Sequence, residues 1–165
     1  MEIWLSRRIK DKQKKEGGKI MKRYYIAYGS NLSLEQMARR CPTAKVVGTA
    51  MLKDWRLLFN GPASIEKKVG YQVPVLIWDI QPSDEKSLDR YEGYPNYYRK
   101  EMIKININGK PEEAMVYIMN TNKESRPGTA YYQILENGYK RFEFDMVILR
   151  RAFYESYKRE KRYDY

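Results

Sequence analysis

Short apolar runs separated by turn residues dominate the first two thirds of the chain and predict β-strands. In chain order the predicted strands are 22–27, 45–52, 54–59, 73–80, 98–106 and 113–119, with 63–67 fitting either a short strand or a loop. The last two flank Asn108-Gly109, a dipeptide typical of a two-residue hairpin turn. The pattern therefore places most of a sheet within the first 120 or so residues.

Helical spacing of apolar residues predicts four helices. The first covers 34–40 and is stopped by Cys41-Pro42. A second runs from Ser83, the expected N-cap, to about residue 91, and the last two cover 130–143, with an interruption near Asn137-Gly138, and 145–163. Strands followed by closing helices predict an α+β protein with a mixed sheet.

The 165 residues suffice for one domain with its own core, and no apolar run reaches the length of a membrane span. We expect the domain to cover 21–165 and residues 1–20 to be a disordered leader or tail, since they are mostly charged and lack a signal peptide's apolar region. Codons for Glu16-Gly17-Gly18 can contain a purine-rich bacterial ribosome-binding sequence, so we interpret Met21 as the biological start. The alternative is a genuine N-terminal extension.

The net charge of +11 raises the question of nucleic acid binding. Residues 1–20 hold seven basic and three acidic side chains, and residues 150–165 hold six and three. The basic excess therefore lies mainly at the two ends, which is typical of a solvated tail and an exposed helix face. A nucleic-acid adaptor stays the third alternative, and we expect no membrane partner.

The composition also excludes several kinds of catalysis. The chain has no histidine, so a Ser–His–Asp triad, a His-activated cysteine and every His-based metal site are excluded. Its single cysteine, Cys41, forms no intrachain disulfide and fits a reducing cytoplasm. Acid–base chemistry must therefore come from carboxylates, lysines or tyrosines.

The most informative segment follows the first predicted strand directly and reads Tyr28-Gly29-Ser30-Asn31-Leu32. A strand that ends in such a turn before a helix can present a row of backbone N–H groups to a carboxylate or phosphate. The alternative is an ordinary strand–turn–helix junction in which Asn31 or Ser33 acts only as the N-cap.

A second segment, LDRYEG at 88–93, carries Glu92 beside Gly93. Together with YGSNL at 28–32 it resembles the γ-glutamylcyclotransferase (AIG2-like) family, whose members carry a YGSNL loop after the first strand and a catalytic glutamate in an LDxxEG context. The resemblance extends from about residue 22 to residue 157. It implies a small, closed mixed β-barrel flanked by helices, with the active site at one mouth.

The resemblance also implies the reaction. The α-amine of a γ-glutamyl group attacks its own γ-carbonyl, which yields 5-oxoproline and a released amine or amino acid without metal or cofactor. Glu92 is the expected catalytic residue, and Asp89, three residues earlier, is expected to cap or orient. The expected substrate-binding residues are Tyr28, Gly29, Ser30, Asn31, Leu32, Tyr98 and Tyr131, with Tyr97 and Tyr132 as neighbouring alternatives for the last two.

We therefore interpret the chain as a cytoplasmic, bacterial-type enzyme of this kind, acting on a small γ-glutamyl substrate. The leaving group can be an amino acid, a peptide or an amine, including a γ-glutamyl-protected biosynthetic intermediate. A non-catalytic small-molecule binding module of the same fold is the alternative from another class. The sequence does not determine the oligomeric state.

Overall fold

The computed structural model describes residues 15–16, 19–20 and 22–163. At its beginning, β1 (Lys15–Glu16) and β2 (Lys19–Ile20) pair as a two-residue antiparallel ribbon. The rest of the predicted leader, 1–14 and 17–18, and the proposed start at Met21 lie outside the described residues. The division at residue 20 therefore stays a prediction.

Five strands form the main sheet of the described chain: β3 (Arg23–Ala27), β4 (Lys45–Phe59), β5 (Ala63–Ile80), β6 (Tyr98–Ile107) and β7 (Lys110–Met119). They lie in the order β4-β5-β3-β7-β6. Only the β3–β7 pair in this sheet is parallel; the other neighbours are antiparallel. The predicted α+β class with a mixed sheet is confirmed.

The sheet curls toward a barrel but does not close through hydrogen bonds. The strand order leaves β4 and β6 as its two edges, although these strands contact each other across the gap. The closed barrel implied by the resemblance is therefore a partly open one in this chain. A short bridge between Asn60 and Ser125, just beyond β4, connects the sheet to the loop that follows β7.

The β4–β5 hairpin is longer and more continuous than its sequence predicts. We expected a break between Leu52 and Asp54, but β4 passes through this point as a bulge in which Asp54 has φ 63°. The Asp54 carboxylate accepts a hydrogen bond of 3.1 Å from the N–H of Gly70, which lies on the opposite strand. A side-chain bond thus replaces a missing rung of the ladder, a compensation that propensity does not reveal.

Four α-helices complete the described chain: α1 (Leu34–Arg40), α2 (Pro82–Glu92), α3 (Thr129–Arg141) and α4 (Met146–Tyr163). The expected N-cap of α2 at Ser83 is wrong. Gln81 is the N-cap, Pro82 occupies the first turn, and the Asp84 carboxylate accepts the Gln81 N–H at 2.9 Å. This is a capping box that begins two residues earlier than the serine suggests.

The expected interruption of α3 near Asn137-Gly138 is also wrong, because the helix runs through it. A Cβ atom on Gly138 would lie 2.7 Å from Cβ of Leu32. The glycine therefore allows close helix packing against the turn that follows β3. Among the described residues, no helix is long and apolar enough to cross a membrane.

Candidate active site

A cavity of about 240 Å³ lies where the turn after β3, the end of α2, the start of β5 and helix α3 meet. Its walls are largely aromatic or formed by small residues, and Glu92 is the one acidic residue among them. The lining residues are Tyr25, Ile26, Tyr28, Gly29, Ser30, Pro62, Ala63, Tyr91, Glu92, Tyr98, Tyr117 and Tyr131. Both sequence motifs therefore meet in one place.

Glu92 reaches the cavity because it is the last residue of α2. Gly93 ends the helix in the left-handed region, with φ 61°, and its N–H bonds to the helix carbonyls of Asp89 and Arg90. Burial disfavours the ionised carboxylate and raises the pKa of Glu92 from 4.5 to about 7, while the charge of Arg40 acts in the opposite direction. A carboxyl group with a pKa near neutrality is suited to accept and return a proton.

The tyrosines around Glu92 are neutral hydrogen-bonding groups. Burial, reinforced by the nearby Glu92 charge, raises the pKa of Tyr25, Tyr28, Tyr98 and Tyr131. The Tyr28 hydroxyl donates to the Tyr117 carbonyl at 2.6 Å, and the Tyr98 hydroxyl donates to the Ala63 carbonyl at 2.9 Å. These bonds fix both rings against the backbone of neighbouring strands.

The turn after β3 is a 3₁₀ helix, Ser30–Leu32, preceded by Gly29. The backbone N–H of Leu32 donates to the Gly29 carbonyl at 3.0 Å, so this N–H is already bonded inside the turn. Gly29 has φ −118°, which any residue can adopt. Close packing is the reason for glycine here, because a Cβ atom would lie 3.1 Å from the Tyr131 hydroxyl oxygen.

Six of the eight residues expected in the site line the cavity: Tyr28, Gly29, Ser30, Glu92, Tyr98 and Tyr131. Asn31 and Leu32 lie behind the wall. The Asn31 side-chain amide donates to the Tyr25 hydroxyl at 2.9 Å, and the Asn31 backbone carbonyl accepts from the Trp78 indole at 3.2 Å. Asn31 thus supports the turn from below, and Leu32 packs into the core against Gly138.

The structure also distinguishes the neighbouring tyrosines that the sequence left open. Tyr98 is buried and lines the cavity, whereas Tyr97 is 74% exposed. Tyr131 extends its hydroxyl into the cavity wall, whereas the ring of Tyr132 packs between Phe59 and Phe153.

Tyr25, Tyr91 and Tyr117 line the cavity without having been among the expected site residues. The Tyr117 hydroxyl donates to Asp89 at 2.6 Å, so Asp89 contacts a residue of the cavity wall. Its capping or orienting role stays a prediction. Tyr91 and Ser30 share a hydrogen bond of 2.8 Å between their hydroxyl groups. The parallel pairing of β3 with β7 brings Tyr25 and Tyr117 together, and no local sequence signal reports it.

The described residues contain no cluster of three or more cysteine, aspartate or glutamate side chains that could hold a metal ion. The groups available for chemistry in the cavity are therefore one carboxyl group, several hydroxyl groups and the backbone amides of the turn.

Comparison with known proteins identifies the family of the chain. The model of the family described as Gamma-glutamyl cyclotransferase, AIG2-like, matches residues 25–141. Gamma-glutamylcyclotransferases of Bos taurus and Homo sapiens are each 32% identical to this chain over 123 residues, covering 66% of it. The chain spans 65% of the length of these curated relatives.

A solved structure of a gamma-glutamyl cyclotransferase superposes with a TM-score of 0.70 at 28% identity and covers 80% of this chain and 86% of its own. The family match includes both the turn after β3 and the end of α2. The chain belongs to the Gamma-glutamyl cyclotransferase, AIG2-like, family, which confirms the resemblance drawn from its two motifs.

Proposed function

We propose that this chain is a γ-glutamylcyclotransferase. In the reaction, the α-amino nitrogen of a γ-glutamyl group forms a bond to its own γ-carbonyl carbon, and the bond from that carbon to the leaving nitrogen breaks. The α-ammonium nitrogen loses two protons as it becomes the lactam N–H. One of them reaches the leaving nitrogen when its bond to carbon breaks, and the other ends on the released amine, which is an ammonium group at neutral pH. The products are 5-oxoproline and a free amine or amino acid.

The observation that carries this proposal is Glu92 in the cavity wall with a pKa raised to about 7. At neutral pH such a carboxyl group is present in both protonation states. As carboxylate it accepts the proton of the α-ammonium group, and as carboxylic acid it returns a proton to the departing nitrogen. A pKa close to the working pH suits a single group to both transfers.

The turn after β3 and the tyrosines hold the γ-glutamyl group in this proposal. We infer that backbone N–H groups of this turn bind the α-carboxylate or the developing oxyanion. The tyrosine walls keep the bound γ-glutamyl group in a bent conformation, so that its amine stays near its γ-carbonyl, and this proximity lowers the barrier.

The size of the cavity bears on the leaving group. Pockets for drug-sized ligands have volumes of about 300–1,000 Å³, and the cavity of about 240 Å³ is smaller. We infer that it encloses the γ-glutamyl part and that the leaving group points outward. Both an amino acid or peptide and an amine therefore stay open as leaving groups. The lone Cys41 supports our inference of a cytoplasmic location, and the bacterial origin stays a prediction.

Release of 5-oxoproline from a panel of γ-glutamyl dipeptides and γ-glutamylamines tests the proposal. Glu92→Gln keeps the size of the side chain but cannot accept the proton, so turnover should fall by about 10²–10⁴-fold. Glu113→Gln, an exposed position on β7, is the matched control and should behave as wild type.

Two outcomes would contradict the proposal. Wild-type turnover by Glu92→Gln would remove Glu92 from the chemistry. Binding of γ-glutamyl compounds without 5-oxoproline release by the wild-type chain would identify a binding module instead.

A further inference from the structure

Arg40, the last residue of α1, connects the two halves of the candidate site. One guanidinium nitrogen donates to the side-chain oxygen of Asn31, and the guanidinium carbon lies 3.3 Å from the centre of the Tyr91 ring. Asn31 belongs to the turn after β3, and Tyr91 precedes Glu92 on α2. A single planar cation therefore contacts both elements that carry the proposed chemistry.

Both contacts continue to the cavity wall. Asn31, which accepts from Arg40, in turn donates a hydrogen bond of 2.9 Å to Tyr25, and Tyr25 lines the cavity. Tyr91, on which the guanidinium group lies, shares a hydrogen bond of 2.8 Å with Ser30. A movement of Arg40 would thus loosen the turn and the end of α2 together.

Among the described residues, no carboxylate forms a salt bridge with Arg40. The hydrogen-bond acceptors of Arg40 are the amide oxygens of Asn31 and Gln36. Arg56, in contrast, pairs with three glutamates. A half-buried cation without a carboxylate partner acts electrostatically on the nearest carboxyl group of the cavity.

We propose that Arg40 is a positioning residue for Glu92: its guanidinium group fixes the turn after β3 against the end of α2, and its charge favours the ionised carboxylate. The inference rests on the proposed function. Guanidinium suits both tasks because it stacks flat on an aromatic ring while its edges donate hydrogen bonds, which a lysine ammonium group cannot do.

The electrostatic surroundings of Glu92 support this assignment. The titratable side chains that interact with it are Tyr25 on β3, Tyr28 in the following turn, Tyr98 on β6, Tyr131 on α3, and Arg40 on α1. The tyrosines are neutral, so Arg40 supplies the positive charge among them. Its charge lowers the pKa of Glu92 against the larger effect of burial.

Three variants of the full chain separate charge from geometry. Arg40→Gln keeps a hydrogen-bond donor for Asn31 and loses the charge, whereas Arg40→Lys keeps the charge and loses the flat stack on Tyr91. Arg39→Gln is the matched control, because Arg39 is exposed on the same helical turn and its loss changes the net charge equally.

The first readout is the carbon-13 NMR titration of the Glu92 carboxyl, assigned with Glu92→Gln. Arg40→Gln should raise this pKa by about one unit, the low end of the range for losing a nearby opposite charge. Arg40→Lys and Arg39→Gln should leave it close to wild type. An unchanged Glu92 titration in folded Arg40→Gln would overturn the electrostatic role.

The second readout is the pH dependence of kcat/KM. For Arg40→Gln, the acid limb of the kcat/KM profile should move to higher pH together with the Glu92 pKa. For Arg40→Lys, the acid limb should stay in place, but the plateau value of kcat/KM should fall about tenfold or more, because there only the misplaced geometry lowers the rate. A wild-type plateau for Arg40→Lys would overturn the geometric role. Absence of turnover in the wild-type chain would refute the proposed function, and the NMR titration would still decide the effect of Arg40 on Glu92.

Discussion

The hydroxyl oxygen of Tyr131 accepts a hydrogen bond of 3.0 Å from the backbone N–H of Ala63, which joins helix α3 to the first residue of β5. The same oxygen would lie 3.1 Å from a Cβ atom on Gly29. Three segments that are distant in sequence therefore meet around one oxygen atom in the cavity wall. Because this oxygen acts as acceptor toward Ala63, we expect its own proton to be donated to a ligand.

Tyr131→Phe removes this oxygen and leaves the Ala63 N–H without its partner. Ala63 is buried, so we expect a loss of stability of about 1–3 kcal/mol, together with a raised KM for the γ-glutamyl substrate. Thermal or urea unfolding and steady-state kinetics measure the two effects. Tyr132→Phe loses a hydroxyl one residue away on the same helix, outside the cavity lining, and should leave KM unchanged. Equal effects of the two substitutions on KM would contradict a role of the Tyr131 hydroxyl in the site.

Gly29→Ala places a methyl group against the Tyr131 oxygen and 3.5 Å from Cβ of Ala63. The φ of Gly29 lies outside the left-handed region, so we attribute the expected loss of about 1–3 kcal/mol to overpacking. In a Tyr131→Phe background the clashing oxygen is absent, and the added cost of Gly29→Ala should shrink. A double-mutant cycle by chemical unfolding measures this coupling. Strict additivity would show that the two residues do not share the space described.

The raised pKa of Glu92 predicts a pH-dependent stability. The folded chain holds this proton up to about pH 7, whereas the unfolded chain releases it near pH 4.5, so the folded state binds more protons between these values. Stability from this group therefore falls as pH rises through that window. Glu92→Gln should match the wild type near pH 4 and exceed it by up to about 3 kcal/mol at pH 8. Urea unfolding at both pH values measures the difference, with Glu113→Gln as control, and a gain independent of pH would contradict the burial of an ionisable Glu92.

Gly138→Ala sets two effects of opposite sign against each other. Alanine favours a helix interior by about 1 kcal/mol over glycine, yet its methyl group would lie 2.7 Å from Cβ of Leu32. Since Cβ of Leu32 cannot move without the turn after β3, we expect the clash to prevail, with a net loss of about 1–2 kcal/mol. Calorimetry measures it, and Asn137→Ala, exposed on the same helix, should be close to neutral. A stabilised Gly138→Ala variant would mean that Leu32 can withdraw.

Local patterns predicted the parts of the fold that local physics determines. The Asn108-Gly109 turn is confirmed, with φ of 51° and 79°, because only such residues adopt this hairpin geometry readily. The bounds of α1 were predicted to the residue, since Ser33 caps it and Pro42 follows its end. The continuity of β4 and of α3 could not be predicted in this way, because a bond from Asp54 and a contact with Leu32 override the local preference.

The same division applies to the candidate site. Two short motifs named Glu92 and the turn after β3, and both line the cavity. The sequence did not predict Tyr25, Tyr117 and Arg40. Since the chain has 16 tyrosines and 32 basic residues, no local pattern distinguishes the few that lie at the site. The register of the strands determines which tyrosines line the cavity, and the approach of α1 to α2 brings Arg40 to the site. These relations between distant segments exist only in the folded chain.

The parallel pairing of β3 with β7 has a consequence for how the chain folds. It sets the Tyr28 hydroxyl on the Tyr117 carbonyl, a contact between residues 89 positions apart. During synthesis the turn that carries Gly29 leaves the ribosome long before its opposite wall exists. Closing so long a loop is costly in entropy and slow, so we expect the pocket to form late in folding. A nascent chain that ends before β7 thus already carries both sequence motifs but still lacks a pocket.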